Sequence, residues 1–439
     1  MNNRNKAWLL PLLLFASGVA AAQDSVSRLV KIEELFALAE QNSRQLAISK
    51  DGMEVSRANT EIARSARLPE LSATVSAGYI GNAPILNTDF SYQQTIKVPH
   101  FTNEYGVEGS ETLFSGYRIR NGIAKAKLEE TLSKLNYAQD KETIKILLLG
   151  RYLDLYRLFN QRRVYEMNIQ LAKMRLKNIS DLHKEGMVIR SDIVRSELQL
   201  TDLEVQFDVI NSNIEIVNRE LCVVLGLPVT MRIQVDTTLE PGRLREDTLE
   251  GYLKQAFDEQ PAVKASLVNA EIAEKNIELA RGAKAPTLQL YAESGLSRPY
   301  LYILPPEDIY FNLYQAGIRL KYDISSLYHA NERIRLAEIQ QSRQKMQSEW
   351  VRQQTDLAVS AAYIKYNEAK KELLRREKGR DLADDNYRVV EKRYLNQLAL
   401  LTDMLDASSA KLAAELNQSD AGINIIYQWY LLQKEIGNL

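Results

Sequence analysis

Residues Tyr117 to His183 read YRIRNGIAKAKLEETLSKLNYAQDKETIKILLLGRYLDLYRLFNQRRVYEMNIQLAKMRLKNISDLH, with no proline and only two glycines, Gly122 and Gly150. Leu, Ala, Lys, Glu, Arg and Gln fill most of the remainder, which is helix-forming chemistry throughout. An unbroken helix of this length spans roughly 100 Å, several times the width of an ordinary domain. Two apolar seams run side by side along it: Ile146, Leu149, Leu153 and Tyr156 form one, and Leu148, Tyr152, Leu155 and Phe159 the other. One seam serves a two-stranded coil; two adjacent seams suit a helix held between a neighbour on each side. The same object recurs from Tyr328 to Tyr394, again free of proline and with Gly379 as its one glycine.

Working outward, the chain reads as two copies of one unit. Val30 to Arg67 is predicted helical and ends at Pro69. From Leu71 the period changes to two: Leu71, Ala73, Val75, Ala77 and Tyr79 alternate with Ser72, Thr74, Ser76 and Gly78, an amphipathic strand. A polar loop from Gly81 to Asn103 follows, then a less regular strand from Glu104 to Phe114 on which Tyr105, Val107 and Leu113 share a face with Glu111. After the first long helix, Lys184-Glu185-Gly186 turns the chain, Ser191 is a candidate cap, and a returning helix runs from Asp192 to Leu225. The second copy repeats the order. Ala280-Arg281 and Pro286 stand where Ala63-Arg64 and Pro69 stood, and a strand after Pro286 leads to an aromatic loop, Ser297 to Tyr310. A strand from Phe311 to Tyr322 alternates Tyr314, Ala316, Ile318, Leu320 and Tyr322 with Gln315, Gly317, Arg319 and Lys321. The second long helix, a turn at Asn396-Gln397 and a helix from Leu400 to Leu432 complete it. Four segments are expected: 1–22, 23–227, a connector over 228–247, and 248–439.

Composition narrows the function. The 56 basic and 57 acidic residues balance, so no bulk field points to nucleic acid. His100, His183 and His329 lack metal-ligand spacing, no phosphate-cradling glycine loop is present, and no cofactor or catalytic centre is read. Acidic pairs such as Glu129-Glu130 read as a solvated helix face rather than paired catalytic carboxylates, and the lone Cys222 reads as a small core residue. Residues 1–22 carry Arg4 and Lys6, the apolar run Ala7 to Ala16, and Ala20-Ala21-Ala22, the pattern of a secretory signal cleaved after Ala22. No later run is long and apolar enough for a helical span, so any membrane-crossing part of the mature chain must be β-structure.

Strands of about 9 to 11 residues with one apolar face fit a bilayer when tilted, yet four strands cannot close into a barrel. Several chains must therefore pool their hairpins. Val75 and Ile318 are expected to face lipid, and Ser72, Thr74, Ser76, Gln315, Arg319 and Lys321 the barrel lumen. The loop aromatics Tyr300, Tyr302, Tyr310 and Phe311 fit either an interfacial girdle or packing on the loop itself. The fold class is mainly α with membrane β, internally duplicated.

This order of elements, the Ala-Arg endings before Pro69 and Pro286, Leu113-Phe114-Ser115-Gly116, and Asp403-Met404-Leu405-Asp406-Ala407 together resemble the TolC-like outer-membrane efflux channels. The resemblance covers essentially the whole mature chain. It implies a homotrimer with a 12-stranded β-barrel on a 12-helix α-barrel. It also implies an outer-membrane location with a periplasmic extension, and two partners: a periplasmic adaptor and an inner-membrane transporter of RND, ABC or MFS type. At matching positions such proteins place an acidic constriction at the periplasmic aperture, so Asp403 and Asp406 are candidates for it, with Asp192 and Tyr394 helping to hold it closed. Spacing alone favours reading these aspartates as helix-dipole partners, and it is the resemblance that points to the constriction. Gln397 stands where many members carry glycine, and Ala399 where some carry arginine. The alternative reading is a periplasmic coiled-coil adaptor or filament protein; the long helices suit it, the amphipathic strand pairs do not.

Overall fold

The computed structural model describes residues 27–236 and 247–439. The segment 1–22 and residues 237–246 of the connector over 228–247 lie outside the described residues. The first strand, β1 (Ser27–Val30), leads to α1 (Ile32–Asn42) and α2 (Arg44–Ser65). The single helix expected from Val30 to Arg67 is thus corrected to a strand and two helices. The break falls at Ser43, whose extended backbone and side chain, accepting from the Leu46 N–H, cap α2. Next come β2 (Glu70–Tyr79), a small hairpin of β3 (Ala83–Leu86) and β4 (Tyr92–Ile96) inside the expected loop, and β5 (Phe101–Phe114). Then follow α3 (Arg118–Lys184), α4 (Arg190–Leu225) and β6 (Arg232–Val235). Ile189, rather than Ser191, is the residue flanking α4. The second half gives α5 (Leu249–Glu259), α6 (Pro261–Gly282), β7 (Thr287–Arg298), β8 (Phe311–Lys321), α7 (Ser326–Leu395) and α8 (Leu401–Glu435). The helices before each strand pair repeat in length, 11 and 22 residues in both halves.

Both seams of α3 are used. Leu148, Leu149, Tyr152, Leu153 and Leu155 are buried, with Ile146, Tyr156 and Phe159 packed at their margins. On one side α3 meets α2 and α4; on the other it meets α6 and α8, which in turn pack on α7. The helices therefore form one curved layer ordered α2/α4, α3, α6/α8, α7. Paired shorter helices stand end to end: the Asn42 amide at the end of α1 donates to the Leu225 carbonyl at 2.8 Å where α4 stops.

The layer ends in two outer faces that nothing covers. Along α4, Val194, Leu198, Val205, Val209, Ile216 and Val223 are exposed at heptad-like spacing; along α7, Leu336, Ile339, Met346, Trp350, Leu357 and Ile364 repeat the pattern.

A belt around mid-length holds the halves together. There β1 and β6 pair in parallel. The buried Tyr152 hydroxyl donates to the Val30 carbonyl at 2.6 Å and accepts from the Asp236 N–H at 2.8 Å, pinning both strands to α3. At the other end of the long helices, Gly116 and Gly282 approach backbone to backbone. A Cβ on Gly116 would lie 2.4 Å from the Gly282 carbonyl oxygen, and its φ of 63° independently favours glycine.

The belt also buries Glu142 on α3, with one carboxylate oxygen unpartnered. Burial pushes its carboxyl up to about 7; Lys434, Lys145 and Lys141 oppose this and Glu435 adds to it. Because the folded-state value exceeds the unfolded one, the contribution to stability is complete below the unfolded value of about 4.5 and is lost as pH rises to about 7. Thermal unfolding should show lower stability at pH 8 than at pH 5. The part due to this carboxyl is on the order of 3 kcal/mol, and Glu142→Gln should abolish it.

Candidate functional site: a two-faced sheet and a polar helix tip

The order β2-β5-β7-β8 forms one antiparallel sheet whose outer strands, β2 and β8, have no further neighbour. Register decides which side chains share a face. Ser72, Thr74 and Ser76 stand opposite Glu108, Gly106 and Glu104. Across β5 and β7, Glu108 meets Glu293 and Glu104 meets Ser297; across β7 and β8, Glu293 meets Gln315, Gln289 meets Arg319 and Thr287 meets Lys321. All six residues expected on the polar side therefore lie on one face of the sheet. The Ser76 hydroxyl donates to Glu104 at 3.3 Å, the Gln315 amide donates to Glu293, and Arg319 lies 4.4 Å over the Tyr291 ring.

The opposite face carries Leu71, Ala73, Val75, Tyr105, Val107, Leu290, Ala292, Leu296, Tyr314, Ile318 and Leu320. Val75 is 73% and Ile318 67% exposed, an apolar surface that water does not favour. The strand β5 reads less regularly than β2 because Glu111 stands opposite Leu290 on the apolar face and a bulge between Thr112 and Phe114 takes Leu113 out of the alternation.

The loop aromatics pack on one another. Tyr300 lies 4.7 Å from Phe311 and 5.7 Å from Tyr302. Phe311 stands opposite Ser297 on the polar face, and with Tyr302 it lines one concavity together with Glu104, Glu108 and Glu293. Tyr310 instead accepts from the Asn103 amide at 3.2 Å. The carboxylates of this face were not singled out from sequence, although Glu104, Gly106 and Glu108 already alternate.

The other site is the far tip of the long helices, where α3 turns into α4 and α7 into α8. A small apolar cluster of Ile179, Tyr387, Tyr394, Leu401, Met404 and Ala407 closes it. Gly186 and Gln397 adopt positive φ in the two turns, and the Gln397 amide reaches the Met187 sulfur at 3.4 Å.

Asp403 and Asp406 are both exposed on the first turns of α8. Asp403 accepts from the Leu400 N–H at 3.1 Å, so one of its oxygens serves as a cap while the charge stays open to solvent. Tyr394 is buried, and its hydroxyl has no hydrogen-bond partner among the described residues; burial and the nearby Asp192 carboxylate push that phenol up, and Arg175 opposes them. Asp192 and Tyr394 thus lie within electrostatic reach without a hydrogen bond between them.

A polar knot around Arg175 sits at the base of the same tip. Its guanidinium donates to the Gln199 side chain at 2.8 Å and to the Ser408 hydroxyl at 2.9 Å. Sequence spacing gives no sign of it, because its members come from α3, α4 and α8. Among the described residues no helix is long and apolar enough to cross a membrane, and no cluster of His, Cys, Asp and Glu is suited to a metal.

The comparisons agree with this geometry. The family model described as outer membrane efflux protein matches residues 252–438. The outer membrane efflux protein BepC of Brucella suis is 20% identical over 402 residues, covering 91% of this chain and 83% of that protein. Among solved structures, a membrane protein from Pseudomonas aeruginosa superposes with a TM-score of 0.79 at 15% identity, covering 92% of this chain and 90% of its own. The outer membrane protein VceC of Vibrio cholerae does so with a TM-score of 0.75 at 14% identity, covering 92% of this chain and 96% of its own. The likeness to these structures carries the fold along almost the whole length of the chain, and over its second half the chain matches the outer membrane efflux protein family.

Proposed function

We propose that this chain is an outer-membrane efflux channel of the TolC-like kind and works as a homotrimeric exit duct, a 12-stranded β-barrel continued by a 12-helix cylinder across the periplasm. The observation that carries this reading is the pair of incomplete edges. The strands β2 and β8 run in opposite directions and both lack a neighbour, so copies can add edge to edge while remaining antiparallel. The exposed seams of α4 and α7 stand at the two ends of the helical layer, where the same addition would cover both. An open edge in lipid leaves backbone groups unpaired, which is why closure and membrane insertion belong to one event.

In this reading the polar face of the sheet lines the lumen and the apolar face meets outer-membrane lipid. The segment 1–22 is the export signal, and 23–227 and 248–439 are the two repeats joined by the connector over 228–247. The helix tip is the periplasmic aperture: Asp403 and Asp406 form its acidic ring, with Asp192 and Tyr394 beside the closing contacts. A channel of this kind supplies no energy. A periplasmic adaptor would dock on the helical cylinder, and an inner-membrane transporter of RND, ABC or MFS type would drive drugs, other small molecules or proteins through it. The adaptor or filament reading leaves a sheet with one polar and one apolar face without a use.

Fractionation of cells expressing the full chain tests the proposal. Heat-resistant trimers in the outer membrane are the expected result. Monomer confined to the soluble periplasm would overturn it.

A further inference from the structure

Between the main core around the belt and the small core at the tip lies a cavity of mixed lining, in which Val164, Met167 and Leu373 stand among polar side chains. Asn160, Arg163, Glu377, Arg380 and Glu415 line that stretch of α3, α7 and α8. The tip is therefore a separately packed unit, and at its base stands Arg175, only 6% exposed within a single chain. Gln199 on α4 and Ser408 on α8 accept from two of its nitrogens, and both acceptors are neutral. The Nε has no partner, and among the described residues no carboxylate reaches the guanidinium. The Tyr387 hydroxyl beside it donates to Glu391 at 2.9 Å, and Asp192 acts with Arg175 on the neighbouring Tyr394 phenol, so both acids lie in its surroundings without a direct bond to the guanidinium.

A buried guanidinium without a counter-charge is costly, and the cost disappears when water reaches it. We propose that Arg175 is a spring in the periplasmic mouth: the closed tip buries its uncompensated charge, and separation of α7 and α8 from α3 and α4 hydrates it, so the closed state is held short of being locked. This rests on the reading of the tip as the aperture. The arrangement differs from a latch, in which the guanidinium would hold the helices together. The two ideas predict opposite signs for the same substitution.

Arg175→Met keeps the volume and removes the buried charge, so a spring predicts a tighter mouth and a latch a looser one. Ser408→Asp instead supplies the missing counter-charge and should also tighten it. The full chain is reconstituted in planar bilayers, with open-channel probability read alongside block by a trivalent lanthanide added on the periplasmic side. Each variant should lower the open probability about tenfold, as expected when a buried charge is removed or paired. Increased or unchanged opening in Arg175→Met overturns the proposal. If that variant does not assemble, Arg175→Gln, which also removes the charge but keeps a polar head, takes its place, and unchanged or increased opening in it is equally fatal; Ser408→Asp serves as a check, since unchanged or increased opening there also counts against the spring. Lanthanide block retained while these variants fail isolates the error to Arg175. Absence of block in the unsubstituted protein rejects the aperture reading, and the spring falls with it.

Discussion

Val75→Arg should remove most of the assembled channel, whereas Ser72→Arg and Ser76→Arg should leave it intact. Val75 lies midway along β2, opposite Tyr105 on the apolar face, where an arginine would enter lipid at roughly 2 to 4 kcal/mol per chain near the bilayer midplane. Threefold repetition applies that penalty three times in one barrel. Ile318→Arg should act in the same direction with a smaller effect, because Ile318 lies closer to the helical end of its strand. Ser72 and Ser76 are neighbours of these positions along the chain, yet they stand opposite Glu108 and Glu104, so an arginine there meets a carboxylate on the hydrated face. Counting heat-resistant trimers after outer-membrane extraction measures the difference. Equal losses in both sets would reverse the assignment of faces.

The second large effect concerns ion block. Asp403→Ala combined with Asp406→Ala should abolish block by trivalent cations from the periplasmic side in planar bilayers. The two carboxylates are exposed, lie three residues apart on α8, and become six around a threefold opening. Asp403 also caps α8, and its loss as a cap costs about 0.5 to 2 kcal/mol. The pair Asp403→Asn with Asp406→Asn separates the roles, since asparagine retains a capping oxygen and removes the charge. Block lost in both pairs places the acidic ring here; block lost in neither returns Asp403 to capping alone. Tyr394→Phe should raise conductance without relieving block, because its buried hydroxyl needs an acceptor that none of the described residues supplies.

Much of this was legible from the residues, and the parts that were not have physical causes. The long helices declare themselves because a helix of that length tolerates no proline and displays its packing partners as parallel seams. Strand β2 is equally plain, since its period of two is unbroken. In β5 Glu111 interrupts the apolar parity and the bulge before Phe114 displaces Leu113, and Glu293 joins the carboxylates of the polar face only once the register between β5 and β7 is known. The break at Ser43 was hidden because the apolar spacing continues across it, and a single capping oxygen redirects the chain. At the tip, Asp403 and Asp406 could be nominated from one helix, but the Arg175 knot draws on three elements distant in sequence. Pairwise patterns along a chain do not encode such an arrangement.

The antiparallel, uncovered edges of the β2-β5-β7-β8 sheet also have a genetic meaning. In the proposed ring each subunit must offer both a sound β2 and a sound β8, so a copy damaged at one edge spoils a junction and leaves the ring open. If half of the subunits in a cell carried a lesion at one edge and mixed at random, roughly one barrel in eight would be wholly intact under threefold closure. Edge mutations should therefore behave as dominant alleles in cells that retain a normal copy. Lesions confined to the export signal, whose products never reach the assembly, should be recessive.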